Sequence, residues 1–481
     1  MARPVKATVE RELKLGAPAS FRLPDLPGEP IEPRVLVSTY YDTPDHRLAA
    51  GGVTLRRRVE PAGTSWQLKL PRGIARIELE LASASRTAPV EILDLLVARL
   101  RGAPVEPVAT LRTRRSGVRV RGIEGPIADV TVDLVSVMDG RRVARRFTEI
   151  EAELLGGDEA ALATIGRALE AAGALPGDSR PKLFQALDLE AADATVPPED
   201  GTIADHLRHL IRSQVALIVR HDPGTRLGAD IEELHQMRVA TRRLRGLLRA
   251  ARPLLDPEWA ESLRAELGWL GGALGPVRDL DVLLEHLTGE SDLLEPAEQR
   301  AFLRLLTRLE GEREEARALM LDALRAPRYV ALLDRLDRAA DEMPIVESEE
   351  TLETIARAEY RRLRRDVGRL PEDPIDDELH ALRIRGKRAR YAAEFAAGTM
   401  SPGPERLIRE LKAFQDVLGE HQDACIAEER LRALVARGAG VRAAFAAGRL
   451  VQHQRERRVR ARATYEDVWE RARKQGRALW R

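Results

Sequence analysis

The sequence contains one cysteine, Cys425, in 481 residues. That excludes an intrachain disulfide and any cysteine-based zinc site, and it fits a reducing compartment with the thiol acting as a small buried hydrophobe. No uninterrupted apolar run is long enough to span a bilayer, and polar sequence follows Met1-Ala2-Arg3-Pro4. Neither a transmembrane helix nor a signal peptide is therefore expected, and the expected location is the cytoplasm. There is no excess of either charge: Lys+Arg number 78 and Asp+Glu 77. Any anion site must come from local clustering. Aromatics make up only 4% of the chain, which disfavours single-stranded nucleic acid as a partner. A Walker-type glycine loop is also missing, so a phosphate cradle would have to be built from side chains.

What is present is length, apolar mass and charge. The chain is long enough for two or three domains, with 44% hydrophobic and 32% charged residues. From Thr8 to about Glu153 it reads as short strands. In Val9-Glu10-Arg11-Glu12-Leu13-Lys14-Leu15, alternation puts Glu10, Glu12 and Lys14 on one face. Val35 to Asp42 is β-branched and aromatic and ends in the turn Thr43-Pro44-Asp45. Later runs repeat the pattern of a charged face opposite an apolar one. Arg56 and Arg58 share a face, with Arg57 opposite. Lys69 lies beside Gln67, and Glu78 and Glu80 alternate with aliphatics. Leu111-Arg112-Thr113-Arg114, a separate strand from Gly117 to Arg121, and a strand from Asp129 to Val135 carrying Asp133 follow. Phe147 to Leu154 puts Glu149, Glu151 and Glu153 on one side. Pro89–Leu100 and Asp158–Ala172 read as helices.

An open sheet could leave such faces in water. A closed barrel would turn them inward as a polar tunnel, with helices over the apolar outside. Burying so many charges without a ligand would be costly. A highly anionic ligand with divalent cations would give them partners, because hard cations take carboxylate and phosphate oxygens and Arg forks match phosphate.

These strands resemble the CYTH family, the triphosphate tunnel metalloenzymes. The resemblance rests on Glu10-Arg11-Glu12-Leu13-Lys14 as an ExExK signature, on Tyr40-Tyr41-Asp42-Thr43-Pro44, on Leu55-Arg56-Arg57-Arg58, and on Glu149-Ile150-Glu151-Ala152-Glu153. It covers roughly residues 5–190. It implies an eight-stranded antiparallel tunnel that hydrolyses a triphosphate with Mg²⁺ or Mn²⁺. By position, Lys14, Arg56, Arg58, Lys69, Arg112 and Arg114 would bind phosphate. Glu10, Glu12, Asp133, Glu149, Glu151 and Glu153 would bind metal or position water, with Glu10, Glu12 and Lys14 carrying the catalysis. Lys182 stands where the family places a late base.

After a linker at 191–201 with two prolines, the period changes from two to about 3.6, and helix is expected to the C-terminus. This half contains a repeat. Leu234-His235-Gln236-Met237-Arg238 resembles Leu379-His380-Ala381-Leu382-Arg383 at an offset of 145 residues. Leu274-Gly275 resembles Leu418-Gly419 at an offset of 144. On a helix, His235, Arg238, Arg242, Arg245 and Arg249 form one stripe, and His380, Arg383, Lys387 and Arg390 form another, with Arg243 and Arg388 adjoining. Few acids lie one turn downstream, Glu394 being the exception. Asp279 and Asp423 are expected to brace these helices.

The repeat resembles the CHAD family, the conserved-histidine α-helical domain. That resemblance implies binding of inorganic polyphosphate along both stripes, and association with polyphosphate granules. The combined expectation is an α+β chain: a CYTH tunnel over 1–190, a linker, and a duplicated helical bundle over 202–481. Inorganic tripolyphosphate is the expected substrate. A thiamine triphosphatase or adenylate cyclase of the same fold, or a non-catalytic polyphosphate-binding scaffold, are the alternatives.

Overall fold

The computed structural model describes residues 6–18, 20–72, 75–123, 125–177, 180–189, 201–401 and 403–480. The chain divides into two compact units, Met1–Ala194 and Thr195–Arg481.

The first unit is one antiparallel sheet with short helices. Its strands are β1 (Lys6–Glu10), β2 (Glu12–Gly16), β3 (Gly28–Asp42), β4 (Thr54–Glu60), β5 (Gly63–Arg72), β6 (Ala75–Ala82), β7 (Glu106–Gly122), β8 (Gly125–Asp139), β9 (Arg142–Leu154) and β10 (Leu175–Pro176). Its helices are α1 (Arg47–Ala50), α2 (Val90–Asp94), α3 (Val97–Leu100), α4 (Glu159–Ala171) and α5 (Lys182–Leu187). The single helix expected over 89–100 is thus two short ones. The order across the sheet is β1-β6-β5-β4-β3-β7-β8-β9-β2-β10. β1 pairs with β6 and β2 pairs with β9, while only Arg11 separates β1 from β2. One bent strand therefore bridges both edges and closes the sheet. Counting β1 and β2 together, eight strands form the wall, and the two-residue β10 adds to β2. The stretch expected as one continuous strand over residues 9–15 is bent because its two halves serve opposite edges.

The outer face is apolar where α4 covers it. Leu15, Val130, Ile150 and Ala152 are buried against Ile165 and Leu169 of α4. Each such side chain contributes about 1.5–3 kcal/mol when fully buried. Asp158 caps α4, its carboxylate accepting from the Ala161 amide at 2.8 Å.

The second unit is helical: α6 (Ile203–Leu227), α7 (Ile231–Ala250), α8 (Pro257–Glu290), α9 (Pro296–Arg325), α10 (Pro327–Ala339), α11 (Leu352–Val367), α12 (Asp376–Ala396), α13 (Glu405–Ala436) and α14 (Val441–Leu479). The repeat seen in the sequence maps α7 onto α12 and α8 onto α13. α7 packs on α12 and α9 on α14. At the α7–α12 crossing, a Cβ on Gly246 would stand 3.2 Å from the Tyr391 ring, so a larger residue would push the helices apart. One core joins Leu287, Phe302, Leu431 and Leu450; another joins Leu363, Leu382, Phe414 and Trp469. Among the described residues, no helix is long and apolar enough to cross a membrane.

Candidate functional site

Strand alternation decides what enters the barrel of the first unit. On β9, Ile150 and Ala152 are fully buried under α4. Glu149, Glu151 and Glu153 therefore point inward. On β2, Leu15 belongs to the outer core, which leaves Glu12 and Lys14 inside. The register sets Glu12 beside Glu153 and Lys14 beside Glu151, with Lys14 Nζ 3.3 Å from Glu12 and 3.7 Å from Glu151. β1 pairs Glu10 with Arg76; the Glu10 side chain falls outside the described residues.

Two acidic groups result, and they differ in charge balance. Oxygens of Asp133, Glu149 and Glu151 all lie within 4.8 Å of one another. Lys182 fills that cluster, with Nζ at 2.8, 2.7 and 2.7 Å from the three carboxylates. Arg115 donates to Asp133 at 2.8 and 2.6 Å and also to Glu151. Burial would lower Lys182, but Asp133, Glu151 and Glu149 outweigh it and hold the ammonium above its ordinary range. Burial would raise Glu151, yet Lys182, Arg115 and Lys14 keep it well below the usual carboxylate range. The other group is short of cations. Burial lifts the Glu153 carboxyl and Lys69 opposes, but Glu12, Glu78 and Glu151 add to the lift. Crowded carboxylates of this kind are where a divalent cation would relieve repulsion.

The bases are crowded in the same way. Arg56 is buried, donating to Gln67 at 2.7 Å and Tyr40 Oη at 3.3 Å, and lies 3.6 Å from Glu78. Lys69 is 3.4 Å from Glu78. Arg58 has a buried Nε without a hydrogen-bond partner. Burial, then Arg56 and Arg115, push its guanidinium down to about 10. A buried donor without an acceptor among like charges is suited to an anion.

Arg112 and Arg114 require a correction. Both are exposed, while Thr113 between them is buried and Arg115 faces the barrel. β7 is a single strand of 17 residues. Val120 on it belongs to the outer core, so even positions point out and odd ones in. The tunnel base of this strand is Arg115. Tyr40, Gln67 and Gln185 join the site without being expected in it, because neutral polar residues leave no charge pattern. The Tyr-Tyr-Asp-Thr-Pro stretch has a structural part too: buried Asp42 accepts from the amides of Thr43, Leu48 and Ala49 at 2.7, 2.9 and 3.0 Å and fixes α1.

The barrel is closed at one end. Tyr40, Leu111, Val135, Leu183 and Phe184 form a buried apolar floor, with the last two contributed by α5. Lys182 and Gln185 stand on α5, and Gln185 donates to Glu149 at 3.2 Å. The opposite end opens through a cavity of about 400 Å³ that reaches from the Pro61-Ala62 turn to Arg115 and Glu151. At its rim, Arg119 pairs with Asp129 at 2.7 and 2.8 Å, and Arg34 with Glu60 at 3.4 Å.

In the second unit, His235, Arg238, Arg242, Arg383 and Lys387 form one group. Lys387 lies in the field of Arg383, Arg242 and Arg238, and His235 in that of Arg278, Arg242 and Arg238. Arg278 Nε donates to His235 Nδ1 at 3.1 Å, and at the equivalent place His380 Nδ1 meets Gln422 at 2.8 Å. Arg238 pairs with Asp279 at 2.9 Å. The Leu-Gly pairs have a role as well. A Cβ on Gly275 would lie 3.8 Å from Arg238, and one on Gly419 3.6 Å from Arg383, so each glycine lies directly beneath one of these guanidiniums at ordinary contact distance. Arg245 is exposed beside Gly268.

Arg243, Arg249, Arg388 and Arg390 depart from the simple stripe. Arg243 and Arg390 both pair with Glu394, at 2.8 and 2.7 Å. Arg249 lies in the field of Arg388 and Arg385, apart from the Lys387 group. Gly246 lies against Tyr391 and Phe395 of α12. A second cluster, Asp376, His421 and Cys425, is already served by Arg458 and Arg462, which lie 3.4 and 2.7 Å from Asp376.

A closed antiparallel barrel with a charged interior, followed by a duplicated helical bundle, defines a two-part protein. Sequence profiles of the CYTH domain and the CHAD domain match residues 7–182 and 209–432. Uncharacterized proteins from two strains of Mycobacterium tuberculosis are each 32% identical over 464 residues, covering 90% of this chain and 88% of theirs. The chain belongs to the family in which a CYTH domain is fused to a CHAD domain. Among solved structures, PptA from Streptomyces chartreusis is 25% identical, with TM-score 0.49, over 56% of this chain and 99% of PptA. The CHAD domain from the plant Ricinus communis is 25% identical, with TM-score 0.44, over 60% of this chain and 96% of that one.

Proposed function

We propose that the CYTH unit is a divalent-metal-dependent hydrolase of inorganic tripolyphosphate, and that the CHAD unit binds long-chain inorganic polyphosphate. The observation that carries the first half is Arg58: a half-buried guanidinium whose buried Nε has no hydrogen-bond partner, crowded by Arg56 and Arg115. A chain of phosphates supplies the missing acceptors. Glu12 and Glu153, with Glu10, are the carboxylates that would hold Mg²⁺ or Mn²⁺, because Lys182 already bridges Asp133, Glu149 and Glu151, and Arg115 adds to Asp133 and Glu151. Such an ion polarises phosphate oxygens and lowers the pKa of bound water. Lys14, Arg56, Arg58, Lys69 and Arg115 orient the phosphates and neutralise developing charge, which is most of what phosphoryl transfer asks of a protein. Water oxygen bonds to the terminal phosphorus, and the bridging P–O bond breaks. The electron pair leaves on the bridging oxygen and the water proton passes to solvent. Orthophosphate and pyrophosphate result.

The second half rests on the Lys387 group, where cations from α7 and α12 meet with few acids between them. A phosphate-release screen over tripolyphosphate, ATP, thiamine triphosphate and long-chain polyphosphate, with each metal, tests the whole reading. Tripolyphosphate is expected to be the best substrate. Preference for ATP or thiamine triphosphate would replace it.

A further inference from the structure

We infer that the tunnel is a one-ended well for the free end of a short linear polyphosphate, and that the rim carboxylates Glu60 and Asp129 set its length limit. This rests on the proposed triphosphatase reading and goes beyond it by assigning the specificity residues.

The floor comes first. Leu111 and Val135 lie on the same inward faces as Arg115 and Asp133 but further along their strands, and Leu183 and Phe184 of α5 are packed onto them. Tyr40, Leu111, Val135, Leu183 and Phe184 are all under a tenth exposed. Apart from the Tyr40 hydroxyl, which already accepts from Arg56, this buried floor is apolar and offers a phosphate no donor, so no chain threads past it. A ligand enters from the other mouth only, end first. A ring of three phosphates has no end to present. A long chain can present one, but its remainder must then lie across the rim.

The rim decides whether that remainder is tolerated. Both of its arginines are already engaged: Arg119 holds Asp129 in a two-pronged pair, and Arg34 faces Glu60. The two carboxylates flank the path outward from Arg115 and Glu151. A fourth phosphate there gains no net positive charge and meets two carboxylates at close range. Removing either negative charge frees one guanidinium without touching the inner bases. The pairs are part-exposed, so losing one costs the fold little. Long chains are accordingly left to the CHAD unit, and the two halves take different lengths of one polymer.

The test uses the full chain with tripolyphosphate, linear tetrapolyphosphate and cyclic triphosphate as probes, and compares kcat/KM. Wild type is expected to cut tripolyphosphate, to cut tetrapolyphosphate poorly, and to leave the ring intact. Glu60→Gln and Asp129→Asn should each raise the tetra-to-tri ratio by roughly tenfold, the scale of one relieved charge contact, with tripolyphosphate turnover unchanged. Ratios within about twofold of wild type in both variants, or cleavage of the ring at the tripolyphosphate rate, would overturn the inference while leaving the triphosphatase reading standing. Absence of tripolyphosphate cleavage in wild type would remove both.

Discussion

Arg115 grips Asp133 with both prongs, Nε to Oδ1 at 2.8 Å and Nη2 to Oδ2 at 2.6 Å, across the β7–β8 ladder. That pair fixes the inward face of β7 and turns Arg112 and Arg114 to solvent. Arg115→Ala should therefore lower tripolyphosphate turnover strongly. Charge-assisted bonds are worth about 1.5–3 kcal/mol each, which is roughly ten- to a hundredfold. Arg112→Ala and Arg114→Ala should change it by less than about twofold. Arg57→Ala, whose guanidinium bonds the Ser85 and Ala84 carbonyls outside the barrel, is a further control. Steady-state kinetics of the four variants checks the assignment, and equal losses at Arg114 and Arg115 would refute it.

Much of this was legible in the sequence, and each miss has a physical cause. Alternation is strict in Arg76-Ile77-Glu78-Leu79-Glu80-Leu81 and in Phe147 to Leu154, so their faces could be read directly. β7 was misread because Arg114-Arg115-Ser116-Gly117 has the composition of a turn, which split one strand in two and hid the parity set by Val118 and Val120. The bend at Arg11 depends on which strands pair with each half of the segment, and that is not a local property. In the helical half, the repeat identifies α7 and α12 as equivalent helices, and in the structure they pack on each other. Periodicity alone could not show that Arg249 faces Arg385 and Arg388 and not the Lys387 group.

Lys182 should matter for stability as well as for turnover. Its ammonium is nearly buried among three carboxylates, so Lys182→Met leaves Glu149 without its cation and Asp133 and Glu151 with Arg115 alone. Breaking a buried pair from one side costs about 3–5 kcal/mol. Arg34→Ala at the rim breaks a part-exposed pair and should cost no more than about 1 kcal/mol. Thermal unfolding followed by circular dichroism should show a clear drop in midpoint for the first variant and almost none for the second.

Polyphosphate binding by the helical unit should depend on pH through Lys387. Burial, then Arg383, Arg242 and Arg238, push its ammonium down to about 8. A bound polyanion favours the charged form, so binding above that pH takes up a proton. Affinity is therefore full below about pH 8 and falls as pH rises through it. Lys387→Arg keeps its charge throughout and should flatten the profile. Polyphosphate titrations of wild type and variant across this range decide it, and identical profiles would exclude Lys387 as the titrating group.

Salt provides a separate check on the same surface. Neutralising several phosphates releases condensed counterions, so affinity should fall steeply with added salt, by analogy with nucleic acids. Arg242→Glu with Lys387→Glu should weaken binding and make the salt slope shallower, at unchanged helicity. A double variant that binds as tightly as wild type would move the site elsewhere.

The most direct test of the central claim is phosphate release from tripolyphosphate by the full chain, measured across Mg²⁺ and Mn²⁺ concentrations for wild type, Glu12→Gln and Arg58→Ala. The expected result is release that requires metal, a higher metal requirement in Glu12→Gln, and a turnover loss in Arg58→Ala that added metal does not restore. No release with either metal, or the same release in all three proteins, would contradict it.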